Sequence, residues 1–302
     1  MSNAERVNTV AFVGLGMMGG PMAENLLKKG HPLVVFDIDQ AKVRQFVERG
    51  ARAATGPADA ARQAGIQISM VDTTAQAEEV IAGPDGFIQA VQPGDVVISM
   101  GTIDLMALRR LHPKFAAKGV ELIDSPVTGM EKGAKEGTLN AYVGGDAAAL
   151  EKVRPVLESM ATKITHFGAI GQGLAMKLIN NMLFQVNRVL IIEGLALGAK
   201  AGLDPQQMFE TISGTTGNSV AFQYSAPRIL KREFDGIRMD ITFKDVELQT
   251  QLAKALGMPM FMANTALQVY QMARAQGLGD KDGVAVVQMY EQWTGVAVEG
   301  GQ

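Results

Sequence analysis

Residues 9–37 read TVAFVGLGMMGGPMAENLLKKGHPLVVFD, and this stretch constrains the fold more than any other. A β-rich run leads into Gly14, Gly16 and Gly19, spaced G-x-G-x-x-G, and the chain then reads as a helix up to Gly30. A second strand pattern follows and closes on Asp37. In a strand–turn–helix–strand unit the first glycine makes the tight turn, the second lets backbone approach a pyrophosphate, and the third lets the helix pack on the strand. The helix N terminus then offers its N–H groups to the phosphates. The bare glycine pattern also suits a simple turn. The flanking strand, the helix and the acid together favour a dinucleotide site, with Gly14, Leu15, Gly16, Met17, Met18 and Gly19 as its loop. A carboxylate at Asp37 can bond both adenosine-ribose hydroxyls and repels a 2′-phosphate, so NAD is expected rather than NADP.

The same alternation continues to about Phe167. Further strands are expected at 66–71, 95–100, 120–125, 139–144 and 163–167, after those at 9–13 and 32–37. Strands separated by helical segments define a doubly wound parallel α/β sheet, a Rossmann domain over residues 1–168. Its ligands belong at the carboxyl ends of the strands, where Val71 and Asp72 are candidate cofactor contacts. From Leu174 to Ala201 apolar residues dominate without a proline, which predicts one long helix stopped by Gly202 and Pro205. Helices are expected at 205–213, 219–232, 240–256, 259–276 and 281–293, making 169–302 an all-α domain for substrate binding and oligomerisation.

Composition narrows the function. Apolar residues make up 47% and charged residues 20%, with a net charge of −3 and no basic run, so no nucleic-acid footprint exists. The absence of cysteine removes disulfides, thiolate nucleophiles and Cys-ligated zinc, and fits a cytoplasmic setting. His31, His112 and His166 lie far apart, which argues against a histidine-built metal site. The opening MSNAERVN is polar, lacks a signal-peptide core and is set aside from the fold. The apolar run Val189 to Leu203 carries Glu193 and Lys200 and reads as too short to span a membrane. Met258, Met260, Met262 and Met272 read as core.

The start of the long helix, GQGLAMKLINN, carries the candidate chemistry. On a helix Lys177 shares a stripe with Asn180 and Asn181, then with Phe184 and Arg188. Lys177 could exchange a proton with an alcohol or carbonyl oxygen during hydride transfer, provided burial and the positive nicotinamide lower its pKa. The same spacing also suits a lysine capping nearby carbonyls, with asparagines tying helices together. Arg188 reads as a substrate-anion partner or as a solvated or interface residue. The polar segment SGTTGNS, 213–219, reads as a loop or as a pocket lip with Asn218 and Ser219.

These blocks, with DSPVTG, GTLNAYVGG and ITFKDVEL, resemble the β-hydroxyacid dehydrogenases, the family of 3-hydroxyisobutyrate dehydrogenase and tartronate semialdehyde reductase. The resemblance covers nearly the whole chain. It implies an NAD-dependent enzyme for a small 3-hydroxy acid or its semialdehyde, acting as a homodimer or homotetramer. By similarity Lys177 is the acid/base and Asn181 its partner, with Asn180 beside them. Thr128 and Gly129 would hold the substrate acid group, with Met130 beside the substrate carbon, and Thr102 and Lys244 would lie near the nicotinamide. Departures fall on the substrate side: Met130 stands where the family has glycine, Gly101 where it has serine, and Ile237 where phenylalanine is common. They leave room for a sulfonate substrate, as in a sulfolactaldehyde reductase. Imine reduction and a non-catalytic dinucleotide-binding module are the remaining alternatives, and the retained Lys177, Asn180 and Asn181 argue against both.

Overall fold

The structure, a computed structural model, describes residues 3–300. In chain order the elements are α1 (Asn3–Asn8), β1 (Val10–Val13), α2 (Gly19–Lys28), β2 (Leu33–Phe36), α3 (Gln40–Val47), β3 (Arg52–Ala53), α4 (Pro57–Arg62), β4 (Ile66–Ser69) and α5 (Thr74–Ala82). There follow β5 (Val96–Ser99), α6 (Leu105–Ala116), β6 (Glu121–Asp124), β7 (Val127–Thr128), α7 (Met130–Glu136), β8 (Leu139–Gly144), α8 (Ala147–Glu158) and β9 (Ala161–Gly168). The remainder is helical: α9 (Gln172–Lys200), α10 (Pro205–Ser213), α11 (Val220–Leu230), α12 (Met239–Ala255), α13 (Phe261–Ala275) and α14 (Val287–Thr294).

One sheet holds all the strands, in the order β3-β2-β1-β4-β5-β6-β8-β7, with β9 on the free side of β8. Strands β3 to β6 along that order run parallel, whereas β8 is antiparallel to β6 and β7. β1, β4 and β5 are buried throughout; β1 and β5 accordingly read as nearly continuous apolar runs, whereas IQIS of β4 alternates and buries Gln67, whose Nε2 donates to the Ala64 carbonyl at 2.7 Å. The chain winds to β2 and β3 on one side of β1 and to β4, β5 and β6 on the other. The switch point therefore lies between the carboxyl ends of β1 and β4, where open α/β sheets bind ligands.

The chain divides into two compact units, one ending at Lys177 and the next beginning at Leu178. Residue 168, the boundary expected from sequence, is the last residue of β9, so the first turn and a half of α9 packs with the sheet. The second unit closes on its own core, in which Ile192, Leu195 and Ala196 of α9 join Ile229, Val246 and Tyr270.

Several expectations change. Met1 and Ser2 lie outside the described residues, but Asn3–Asn8 forms α1 rather than standing apart from the fold. Arg6 is buried there, its Nη1 donating to Asp95 Oδ1 at 3.0 Å, a paired charge that the polar composition of the segment concealed. β3 and β7, two residues each, were too short to leave a periodic signal. The segment expected as a helix over 281–293 is a 3-10 turn at Gly283–Val286 followed by α14. α9 has 29 residues and is by length and apolarity able to cross a membrane, contrary to the reading from the run after Val189 alone. Val189, Ile192, Leu195 and Ala199 instead fill the core of the second unit. Met258, Met262 and Met272 are exposed rather than core, because they lie at the end of one helix and on the outer face of the next.

Candidate active site

The three glycines of the loop do three different things. Gly14 has φ +99°, and a methyl group there would lie 2.2 Å from the carbonyl oxygen of Met70. A methyl at Gly19 would lie 1.9 Å from the carbonyl oxygen of Gly14, so α2 can approach β1 only through glycine. At Gly16 a methyl would meet no protein atom within 4 Å: the space above that backbone is open. This division of labour is what a pyrophosphate cradle requires. No side chain caps the N terminus of α2 at Met18; the Gly20 N–H bonds the Gly16 carbonyl and Pro21 has none, which leaves the Gly19 N–H for an anion. Leu15, Gly16 and Met17 also line a cleft of about 390 Å³.

Asp37, one residue beyond β2, is buried and accepts the Leu15 amide at 2.6 Å and the Asp39 amide at 2.8 Å. The loop and the acid are thus one hydrogen-bonded piece. Val71 packs against the loop, its Cγ1 3.2 Å from where a Gly14 side chain would begin. Asp72 is exposed, its amide bonded to the Gln76 side chain that opens α5. Gly101 lies against the Val71 carbonyl, where a side chain would start at 2.3 Å; the serine usual in the family has no room here. Thr102 follows it, half-buried.

Lys177 occupies the second turn of α9, and its Nζ donates to the carbonyl oxygen of Val127 at 2.7 Å. Val127 opens the two-residue strand β7, whose next residues are Thr128, Gly129 and Met130. The structure therefore joins Lys177 to the substrate-loop block, which the sequence left fifty positions apart. Gly129 has φ +135° and Met130 φ +57°, a left-handed backbone at a residue with a side chain. Met130 opens α7 and is 45% exposed.

Within the second unit, Asn180 donates to Asn181 at 3.3 Å, and Asn181 Nδ2 donates to Asp245 Oδ2 at 2.7 Å. Lys244 Nζ sits 3.2 Å from Asp245 Oδ1. Asp245 is the residue that sequence reasoning missed; its position beside Lys244 in ITFKDVEL was the available signal. Its carboxylate collects the asparagine and the lysine that the sequence had singled out separately.

Other candidates resolve into structural roles. His31 Nε2 pairs with Ser159 Oγ at 2.9 Å, and burial lowers its pKa. His166 Nε2 pairs with the Gly145 carbonyl at 2.8 Å. Ser219 caps α11 by accepting the Phe222 amide, and Asn218 donates to the Ser213 carbonyl, so both hold the 213–219 loop together. Arg188 is neither solvated nor at a surface: it is fully buried, 3.9 Å from Asp282, with its guanidinium 4.7 Å from the Phe184 ring centre.

A strand-order switch over an open glycine cradle, with a clamped acid beyond β2, defines a Rossmann-type NAD-binding domain. Residues 9–168 match the family described as the NAD binding domain of 6-phosphogluconate dehydrogenase, and residues 171–290 match NAD-binding of NADP-dependent 3-hydroxyisobutyrate dehydrogenase. The chain is 37% identical over 300 residues to 2-(hydroxymethyl)glutarate dehydrogenase of Eubacterium barkeri, covering 99% of this chain and 100% of that one. It is 32% identical to 3-sulfolactaldehyde reductase of Escherichia coli strain K12, covering 96% and 98%. The solved structure of Mycobacterium tuberculosis 3-hydroxyisobutyrate dehydrogenase with L-serine superposes with a TM-score of 0.87 at 32% identity, covering 94% and 99%. The chain belongs to the β-hydroxyacid dehydrogenase family and is an NAD-using oxidoreductase.

Proposed function

We propose that this enzyme interconverts a small 3-hydroxy acid and its semialdehyde, with Lys177 as general acid/base. The observation that carries the reading is the bond from Lys177 Nζ to Val127, which sets the amine at the head of the Thr128–Met130 segment. When bound, NAD supplies the hydride acceptor. Lys177 takes the hydroxyl proton as the carbinol carbon is oxidised, and returns it to the carbonyl oxygen in the reverse direction. The Thr128 hydroxyl and the amides of Gly129 and Met130 receive the acid group, since successive N–H groups in a turn make an anion-holding concavity. Asn181, held by Asp245, stands one helical turn beyond Lys177 and orients the reacting oxygen, with Asn180 beside it. In this scheme residues 1–168 serve the cofactor and 169–302 the substrate and self-association, in a cytoplasmic setting.

Two of the named relatives carry 3-hydroxy acids in their names, which supports a carboxylate substrate. A sulfonate substrate is the second reading, favoured by the Escherichia coli relative and by Met130 in the acid-binding turn. The test is an NAD-linked screen over C3 to C5 hydroxy acids, their aldehydes and sulfonate analogues, with Lys177→Ala beside the wild type. Turnover should fall by roughly 10²-fold or more with NADH binding kept. Near-wild-type turnover in that variant would overturn the assignment of Lys177.

The same reading includes a homodimer or homotetramer. Ile179, Leu183, Leu190 and Leu197 are exposed along α9 at spacings of four and seven, an apolar stripe on a helix whose other face is core.

A further inference from the structure

α9 lacks a cap of its own. Residue 171 is glycine, and the acceptor for its amide comes from Asp124, 47 positions earlier at the end of β6. Asp124 Oδ1 accepts the Gly171 N–H at 2.6 Å and Oδ2 accepts the Leu174 N–H at 2.6 Å. The carboxylate is fully buried. Glycine makes space for it on two sides: a methyl at Gly144 would lie 2.5 Å from Oδ1, and one at Gly173 would lie 2.8 Å from Oδ2. Three residues after Asp124, Val127 accepts Lys177 Nζ; three residues after Leu174, Lys177 donates it. The short segment 124–127 is therefore tied to the first turns of α9 at both ends.

We propose that Asp124 is a positioning residue, which fixes the pitch and rotation of the first turn of α9 and so holds Lys177 Nζ at the Val127 carbonyl. This rests on the reading of Lys177 as acid/base. A short rigid lever explains why a whole carboxylate is buried here. The unpaired N–H groups at a helix start need an acceptor, and one supplied by a neighbouring strand locks the helix to the sheet, whereas a local serine or threonine cap would leave it free to rotate. The Arg109 guanidinium on α6 is the cation facing the pair, its Nε donating to the Ile170 carbonyl at 3.4 Å.

Asp124→Asn keeps the shape and turns a donor toward one of the two N–H groups. Gly173→Ala approaches the same contact from the helix side, with a methyl placed 2.1 Å from the Tyr142 carbonyl oxygen. Position is read without any substrate, by trace acetylation of the intact protein with acetic anhydride and peptide mapping of each lysine. In folded variants that still bind NADH, labelling of Lys177 should change while that of surface lysines stays at the wild-type level. Turnover is read with the best substrate of the screen; displacement of a reacting group by about 1 Å costs up to about 10²-fold, and the loss should appear in kcat with the KM for NAD little altered. Adding Asp124→Asn to Lys177→Ala should cost no further turnover, because Asp124 acts on the reaction only by placing Lys177. Unchanged Lys177 labelling in both variants overturns the proposal, as does a double variant whose losses multiply. If Lys177→Ala turns over normally, the acid/base reading falls, while the labelling result still decides whether Asp124 places the amine.

Discussion

The amide of Leu15 donates to Asp37 Oδ2 at 2.6 Å, which ties the middle of the glycine loop to the acid at the end of β2. Asp37 thus holds the loop, and under the proposed NAD-linked reading it also selects the ribose. Asp37→Asn removes the charge and keeps the size, so the ratio of kcat/KM for NAD over NADP should fall by tenfold or more, about 1.4 kcal/mol or more of lost discrimination. Asp37→Ala should in addition lower the stability by roughly 1.5–3 kcal/mol, the scale of a hydrogen bond to a charged group. Both are checked by steady-state kinetics and urea unfolding. A wild type that uses NADP as well as NAD would show that the ribose contact lies elsewhere.

Met130 holds φ +57° and is 45% exposed. A left-handed residue with a side chain costs roughly 1–2 kcal/mol, and glycine would relieve that while adding freedom to the unfolded chain. Met130→Gly should therefore change stability by less than about 1 kcal/mol, a balance of those opposing effects. Specificity should change more: opening an apolar wall shifts discrimination by about 1–3 kcal/mol per methylene, toward acids bulkier at C2. Activity ratios on a panel of 3-hydroxy acids decide this. A constant ranking means that Met130 does not line the pocket and that Ile237 is the next residue to change.

Burial pushes the carboxyl of Asp124 up to about 6, against the opposing effects of the Gly171 and Leu174 amides and of Arg109. The folded protein therefore holds this proton where the unfolded chain has released it. Its contribution to stability is full below about pH 4, declines as the pH rises to about 6, and is flat above. Asp124→Asn has no such titration, so its Tm relative to the wild type should climb between pH 4 and 6 and then level off. Thermal melts across that range check the sign; a difference independent of pH would mean that the carboxyl titrates normally.

The exposed stripe on α9 predicts an assembly that charge disrupts. Leu190→Glu with Leu197→Glu should lower the mass measured by light scattering and leave the helical content of the second unit intact, since both side chains already lie outside its core. An unchanged mass would move the interface off this helix face.

A mutation at Gly283 tests the second unit. A methyl there would lie against the Arg188 guanidinium, which is buried beside Asp282. Gly283→Ala should cost on the order of 3 kcal/mol or more, as expected when a buried ion pair is disturbed, and NADH binding by the first unit should persist. A melt within a degree of wild type would show that Arg188 can yield.

Much of this protein was legible before folding because the relevant physics is local. Glycine at 14, 16 and 19 answers to backbone sterics, Asp37 follows a strand that its four apolar residues announce, and the apolar runs of β1 and β5 declare strands buried on both faces. Helices α10 to α13 also declared themselves, through proline, glycine and capping residues at their ends. What the sequence could not decide were the encounters between distant segments. Nothing local says that Asp124 caps a helix beginning at Gln172, that Lys177 rests on Val127, or that Arg188 is buried beside Asp282. The two-residue strands and the helix at Asn3–Asn8 likewise exist only because a neighbouring element completes their hydrogen bonds or pairs their charge. Periodicity fixes which face of an element is apolar; only the packed chain fixes which buried charge meets which backbone amide, because desolvated polar groups must find partners wherever the fold brings them.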